Sequence, residues 1–449
     1  MKKIKIITLG CRVNQSESDS LLSALTEQGF TPGRKDEQCD ICIINTCAVT
    51  QKAAMQSRQA IRKSARLYPD AKIIATGCYA QSGPHEIANI NGVDHVIAQS
   101  DKHLIPGILS RPFSQPKVIL HEIRKKNQFT RIGAAPMGTR TRPFLKIQDG
   151  CDQFCTYCIV PYTRGPSLSL DPEHVISSIN TLFLNGAKEV VLTGIHLGRY
   201  GQDLALPSSL VLLLKRILAE TDLGHIRLSS IEPPEADDDL IGLVASSKRI
   251  CHHFHLPLQS GDDAILKKMH RPYSAAEFTD TAFKINRLIP HAAIGADVLV
   301  GFPGETDAAF KNTFDLIANI PVTYLHVFPF SSRHPAPAAS FPDKIRHDVI
   351  KQRCAALRKL GNEKKAAFFR KMVGQTREVL IEGRRDKSSG RLLGLTTNYV
   401  PVYIDGDDYL INKRISCRIT GALDHRGVSG DIVDSGNKIQ IKMGEILHE

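Results

Sequence analysis

Gly150-Cys-Asp-Gln-Phe-Cys-Thr-Tyr-Cys-Ile-Val-Pro161 follows a short apolar strand candidate, Phe144–Gln148, and opens a long alternation of strands and helices. Its thiols, Cys151, Cys155 and Cys158, are spaced C-x3-C-x2-C, so one loop can bring each thiolate to a different iron of one cubane cluster. A 4Fe–4S cluster has four iron corners, and three cysteines leave one of them open. An open metal position is how a protein keeps room for a reactant, as at catalytic zinc. The competing reading is a structural metal knot or a set of buried thiols. Structural zinc sites pair a C-x2-C with a distant partner and close all four positions, which this loop alone does not do.

Beyond the loop the alternation continues to Ser331. Strand candidates are Phe144–Gln148, Glu189–Thr193, His225–Ser229, Phe254–Leu258, Ile294–Val300 and Tyr324–Phe328, with helices between them such as Asp171–Asn185 and Thr306–Asn319. Six βα units are too few for an eight-fold barrel and suit an open partial one. By the barrel rule, chemistry gathers at the carboxyl ends of the strands, and the cysteine loop follows the first of them.

The first hundred residues repeat one pattern three times. Lys3-Ile-Lys-Ile-Ile-Thr-Leu-Gly-Cys11, Asp40-Ile-Cys-Ile-Ile-Asn-Thr-Cys47 and Ala71-Lys-Ile-Ile-Ala-Thr-Gly-Cys78 are each an apolar strand ending in a cysteine. Helical segments, Ser16 to Gln28 and about Gln51 to Leu67, separate them. Strand–helix–strand alternation implies parallel strands with right-handed crossovers, whose carboxyl ends share one edge. Cys11, Cys47 and Cys78 would converge there as a second three-thiolate site; taken singly, each is a packing residue. Cys39 and Cys42 lie before and inside the second strand, whose side chains alternate faces, and read as buried thiols. Cys251, Cys354 and Cys417 stand alone and read the same way.

Residues from about Pro112 to Arg142 form a basic linker, read as a solvated face rather than a phosphate-contacting arm. The segment Asp343 to Lys371 is a basic amphipathic helix. From about Val373 the pattern changes to short strands broken by glycine, Glu378–Glu382, Leu392–Thr397, Val400–Ile404 and Ile415–Thr420, which suggests a small closed β-barrel. Its basic residues Arg384, Arg385, Lys387, Arg391, Lys413 and Arg414 suit nucleic acid. The 449 residues carry 42% hydrophobic and 23% charged side chains, an ordinary globular composition, and a net charge of +12. No apolar run approaches the roughly 18 residues of a membrane span. The basic start resembles no signal peptide, so the expected location is cytoplasmic, with no membrane partner. There the eleven cysteines read as metal ligands and buried thiols, not disulfides.

Together these features resemble the radical S-adenosylmethionine (SAM) methylthiotransferases, over essentially the whole chain. The resemblance rests on Leu9-Gly-Cys-Arg-Val-Asn-Gln15, Asn45-Thr-Cys-Ala-Val-Thr50, Thr76-Gly-Cys-Tyr-Ala-Gln81, the central cysteine loop, His255-Leu-Pro-Leu-Gln-Ser-Gly261 and Gly301-Phe-Pro-Gly-Glu-Thr306. It implies an α/β chain of three domains: an open parallel domain at 1–111, a linker at 112–136, a (β/α)6 radical SAM barrel at 137–371 and an RNA-binding TRAM barrel at 372–443. It also implies two 4Fe–4S clusters, an auxiliary one on Cys11, Cys47 and Cys78 and a radical one on Cys151, Cys155 and Cys158. SAM would chelate the open iron of the second and yield a 5′-deoxyadenosyl radical. The auxiliary cluster would hold the inserted sulfur, and another SAM would give the methyl. Thr193 and Gly194, with Ser229, Ser230 and Glu232, are the candidate SAM contacts; simple loop structure is the alternative for each.

Leu9–Gln15, Asn45–Thr50 and Gly194-Ile-His-Leu-Gly-Arg-Tyr-Gly201 look like the branch acting on threonylcarbamoyladenosine at position 37 of tRNA, modified at carbon 2. Arg12 and Arg199 are candidates for the threonyl carboxylate, an internal salt bridge being the alternative. Other readings are the isopentenyladenosine branch, the branch that modifies an aspartate of a ribosomal protein, and an iron–sulfur RNA-binding or redox-sensing protein without catalysis. An electron donor and a sulfur source are required and are not identified by the residues. One departure stands out: Ser331-Ser-Arg-His-Pro-Ala-Pro-Ala338 replaces the family's Ser-x-Arg-x-Gly-Thr-x-Ala, with Pro335 at the glycine position.

Overall fold

Runs such as Ile41-Cys-Ile-Ile-Asn-Thr46 are buried at every residue, as strands of a parallel sheet covered on both faces must be. The chain is seen here as a computed structural model that describes residues 1–34, 37–110, 117–132 and 140–433. Of the expected linker, 112–116 and 133–136 fall outside the described residues, as do 434–443 of the expected tail domain. Two compact units are present, 1–364 and 365–449, the boundary falling within the helix His347–Arg370.

In the first unit, β1 (Lys3–Thr8), β2 (Thr31–Pro32), β3 (Ile41–Thr46), β4 (Lys72–Gly77), β5 (His95–Ala98) and β6 (Val118–Ile119) make one parallel sheet in the order β2-β1-β3-β4-β5-β6. The helix Gln51–Leu67 starts where Thr50 accepts a hydrogen bond from the Ala53 amide, and it buries Ala54, Ser57, Ile61 and Ser64 at helical spacing. The first helix, Arg12–Glu27, begins four residues before the expected Ser16, directly after Cys11 at its N-cap.

The barrel strands follow: β7 (Phe144–Lys146), the short antiparallel pair β8 (Gln148–Asp149) and β9 (Leu168–Ser169), then β10 (Glu189–Thr193), β11 (His225–Leu228), β12 (His253–Gln259), β13 (Ala293–Val300) and β14 (Tyr324–Pro329). They pair as two parallel three-stranded sheets, β11-β10-β7 and β12-β13-β14. Among the described residues the sheets are joined by two isolated bridges, Ile226↔Ile250 and Ser230↔His255. The seam has a local cause. β11 is four residues long and leads into Pro233-Pro234, which lack the N–H groups a longer ladder needs. Helices such as Leu210–Glu220 and Ala275–Leu288 cover the outside through Leu213, Leu214, Ile217, Phe278 and Ile285, all fully buried.

The linker is less solvated than expected. Ile123 and Ile132 are buried, and Arg124 lies over the Phe154 ring at 4.9 Å and reaches Asp152 at 3.3 Å. In the second unit, β15 (Thr376–Arg385), β16 (Leu392–Thr396), β17 (Pro401–Ile404), β18 (Arg414–Leu423) and β19 (Gly427–Ile432) close a barrel in the order β15-β16-β17-β19-β18. β19 was hidden by two glycines in six residues. A Cβ at Gly430 would stand 2.4 Å from Cys417 Sγ, so close packing against β18 asks for the weak strand former. No helix of the described residues is long and apolar enough to cross a membrane.

Candidate active site

Register brings the first thiol set together. Thr46 pairs with Gly77, which sets Cys47 beside Cys78 at the ends of β3 and β4. β1 ends opposite Asn45, and Gly10 turns the chain with φ +96° so that Cys11 starts the first helix. A Cβ on Gly10 would sit 2.9 Å from Cys47 Sγ. Burial pushes the Cys47 thiol up to about 12, and Cys78 and Cys11 push the same way. Cys78 is likewise raised by burial, against the pull of Arg164. Cys39 and Cys42 are both buried.

Around these thiols lies a buried charge network that the sequence reading missed. Asn14 donates to the Leu9 and Thr46 carbonyls, and Asn45 donates to the Asn14 carbonyl and to Ser18. One turn on, Glu17 accepts from Lys102 at 2.5 Å, Lys146 at 2.9 Å and Arg164 at 3.0 Å. Arg164 also reaches Asp149 at 2.7 Å and donates to Asn14. Burial works against the Glu17 charge, but Arg164, Lys102 and Lys146 together hold its carboxyl well below the usual range. The signal, in hindsight, was the placing of Asn14 and Glu17 on the same helical face as Leu21 and Leu25.

Arg164 closes the one-turn helix Val160–Arg164 that directly follows the central cysteine loop, and this helix packs on the helix Cys78–Ser82. Arg164 therefore stands within electrostatic reach of Cys78 and Cys11 while tied by sequence to Cys158. The loop itself is fastened on all sides. Gln148 donates to the Asp149 and Gly150 carbonyls and to Ser167, and accepts from the His196 amide. Thr156 is held by the Met269 carbonyl at 3.0 Å and holds the Ala338 amide at 2.8 Å. Arg271 donates to Cys155 Sγ at 3.1 Å, the Gln153 amide to Cys151 Sγ at 3.4 Å, and His196 Nδ1 lies 3.4 Å from the same sulfur. Against the cost of burial, Cys151 and Glu235 raise the His196 pKa to about 10.

All eleven cysteines are free. Donors aimed at sulfur suit thiolates that carry negative charge on a bound metal, and buried free thiols would otherwise stay neutral. Among the described residues, His255, Asp297 and His326 form the group whose ligand atoms all fall within 4.8 Å of one another, the spacing a single ion needs.

Of the candidate SAM contacts, Thr193 is buried with its carbonyl taken by the Ile147 amide, and Gly194 lies against Gln148. Ser229 Oγ is buried without a hydrogen-bond partner among the described residues, while Ser230 is exposed at the seam between the sheets. Glu232 pairs with Arg271, the same side chain that meets Cys155. A carboxylate there suits an ammonium or a ribose hydroxyl and repels another carboxylate. Arg12 is near enough to His253 of β12 to act on its charge, and Arg199 lies 3.8 Å from Glu235, an internal salt bridge.

Residues 3–98 match an uncharacterized protein family, UPF0004; residues 145–317 match the Radical SAM superfamily; residues 370–426 match the TRAM domain. The threonylcarbamoyladenosine tRNA methylthiotransferase MtaB of Bacillus subtilis (strain 168) is 35% identical, covering 94% of this chain and 94% of that one. The protein of the same name from Rickettsia prowazekii (strain Madrid E) is 38% identical over 89% of this chain and 91% of its own. A tRNA-2-methylthio-N(6)-dimethylallyladenosine synthase of Pelotomaculum thermopropionicum is 34% identical, covering 94% and 96%. Among solved structures, the radical S-adenosylmethionine methyltransferase TsrM of Kitasatospora setae superposes with a TM-score of 0.55 at 15% identity, over 75% of this chain and 77% of that one, a likeness of fold.

Proposed function

Because the chain belongs to the radical SAM tRNA methylthiotransferase family, we propose that it adds a methylthio group to carbon 2 of threonylcarbamoyladenosine at position 37 of tRNA. One observation carries this reading: two sets of three free thiols share one unit, and the single-turn helix after the second set packs on the short helix that opens at Cys78 of the first. Cys151, Cys155 and Cys158 would hold the radical 4Fe–4S cluster, and Cys11, Cys47 and Cys78 an auxiliary one. When bound, these clusters and SAM supply one-electron chemistry at an unreactive C–H bond and the sulfur placed there.

The chain's own residues do the positioning. Arg271 and His196 donate to or face the sulfurs of Cys155 and Cys151. Ser229 offers a buried hydroxyl for a ligand polar group, and Gly194, just past the strand that ends at Thr193, offers backbone. Arg164 offsets the negative charge of thiolates at Cys78 and Cys11. The TRAM match supports tRNA as the partner of the second unit.

The substrate is decided by incubating reconstituted enzyme, SAM and reductant with tRNAs bearing each modification. Methylthiolation of the threonylcarbamoyl tRNA is expected; modification of the isopentenyl tRNA alone would favour the other named relatives. For the clusters, anaerobic reconstitution should give about eight irons. Cys151→Ala should leave about four and no SAM cleavage, and Cys47→Ala about four with SAM cleavage kept. Full iron in either variant, or zinc in place of iron, would defeat the assignment.

A further inference from the structure

The loop after β14, where Pro335 departs from the family pattern and follows a cis peptide bond, lines a cavity of about 600 Å³ with the helices around Arg58 and Tyr79. Its walls are polar: Arg58, Tyr79, Glu86, Ser332, Arg333 and His334, with no branched aliphatic side chain among the lining residues. Arg58 is partly compensated, donating to Tyr79 Oη at 2.6 Å and lying 3.6 Å from Glu86. Arg333 is not. Its guanidinium makes no hydrogen bond or ion pair among the described residues, and its Nε is buried without a partner. Its side chain is only half-buried, so the remaining N–H groups are open to solvent or to an anionic ligand.

The cavity also adjoins the first thiol set. Tyr79 follows Cys78 in sequence, and Gln51, four residues after Cys47, lines the cavity and donates from its amide to Ser331 Oγ at 2.9 Å. In adenine, carbon 2 and carbon 6 flank the same ring nitrogen. A base whose carbon 2 meets that set therefore carries its N6 substituent alongside. A threonylcarbamoyl group ends in a carboxylate and a hydroxyl, whereas an isopentenyl group offers neither.

We propose that Arg333, supported by Arg58 and Ser332, is the subsite that receives the carboxylate of the N6 substituent, an inference resting on the threonylcarbamoyladenosine reading above. The planar fork of arginine matches a carboxylate through two parallel N–H bonds. Arg199, already facing Glu235, is the weaker candidate for that role.

The experiment is a binding titration of full-length reconstituted protein with two tRNAs that differ solely in the threonylcarbamoyl group on adenosine 37. Wild type should prefer the modified tRNA by about ten- to a hundredfold, the worth of one charge-assisted contact. Arg333→Gln should erase that preference and leave affinity for the unmodified tRNA in place. Arg333→Lys, which keeps the charge and loses the fork, should retain part of it and serves if the glutamine variant misfolds. An equal loss on both tRNAs would assign Arg333 to a backbone phosphate and overturn the proposal. So would an undiminished preference in the variants. A wild-type enzyme that favours the isopentenyl tRNA instead refutes the substrate reading itself, a result visible before any variant is made.

Discussion

Glu17 collects three cations, Lys102, Lys146 and Arg164, at a buried site. Such a cluster contributes little net stability when complete, but its members depend on one another. Glu17→Gln keeps the shape and removes the charge, leaving three buried cations with Asp149 as their main counterion. The expected loss is about 3–5 kcal/mol, read from urea unfolding at neutral pH. A loss below about 1 kcal/mol would mean that water already solvates the network. At this scale the proposed ligand thiols stood out because residue type and spacing are local properties. Glu17 and Arg164 did not, since charged residues usually mark a solvated face and nothing local says that these two meet across 147 positions.

At the scale of elements, the central loop depends on the backbone before it. Gly150 has φ +71°, and a Cβ there would lie 1.8 Å from the Pro166 carbonyl oxygen, a clash no rotamer relieves. Gly150→Ala should therefore release the central-loop iron, lowering reconstituted iron from about eight to about four, with the set at Cys11, Cys47 and Cys78 retained. Full iron content would show that the loop can shift without losing its ligands. Gly242 gives the opposite expectation. It lies inside the helix Asp238–Ser246 with nothing within 4 Å of an added Cβ, so Gly242→Ala should stabilise by roughly 0.4–1 kcal/mol in thermal unfolding. A lower melting temperature would contradict it. Strands such as Glu189–Thr193 match the expected boundaries because a short buried run between turn residues is a local property. β19 does not read as a strand, because its reason for existing is the face of β18 that it covers.

For the whole molecule, the question is how the second unit would hold tRNA. Four of the six basic residues picked out from its sequence are engaged by carboxylates of the same unit: Arg384 by Glu382, Arg385 by Asp408, Arg391 by Asp405 and Arg414 by Glu378. Lys413 lies over the exposed ring of Tyr409 at 4.8 Å, a platform of the kind on which bases stack. Six free phosphate contacts would give a salt slope of roughly −5. Removing residues after 373 should flatten the measured slope by less than that, weaken tRNA binding, and leave iron content unchanged. Equal tRNA affinity with and without the unit would refute an RNA-binding role for it.

By itself the sequence determined that the first strands run parallel, the alternation of the barrel and the change to short strands after Val373, and it singled out the two proposed thiol sets, because each is written in a local period or spacing. Tertiary structure alone decided the seam between β11 and β12, the closure of the second unit by β19, the charge network on Glu17 and the place of Arg333 in its cavity, its Nε unpartnered among the described residues. The physical reason is range. Hydrophobic periodicity and ligand spacing act within a few residues, whereas the partner of a buried charge, or the lack of one, depends on which distant segments the packed core brings together.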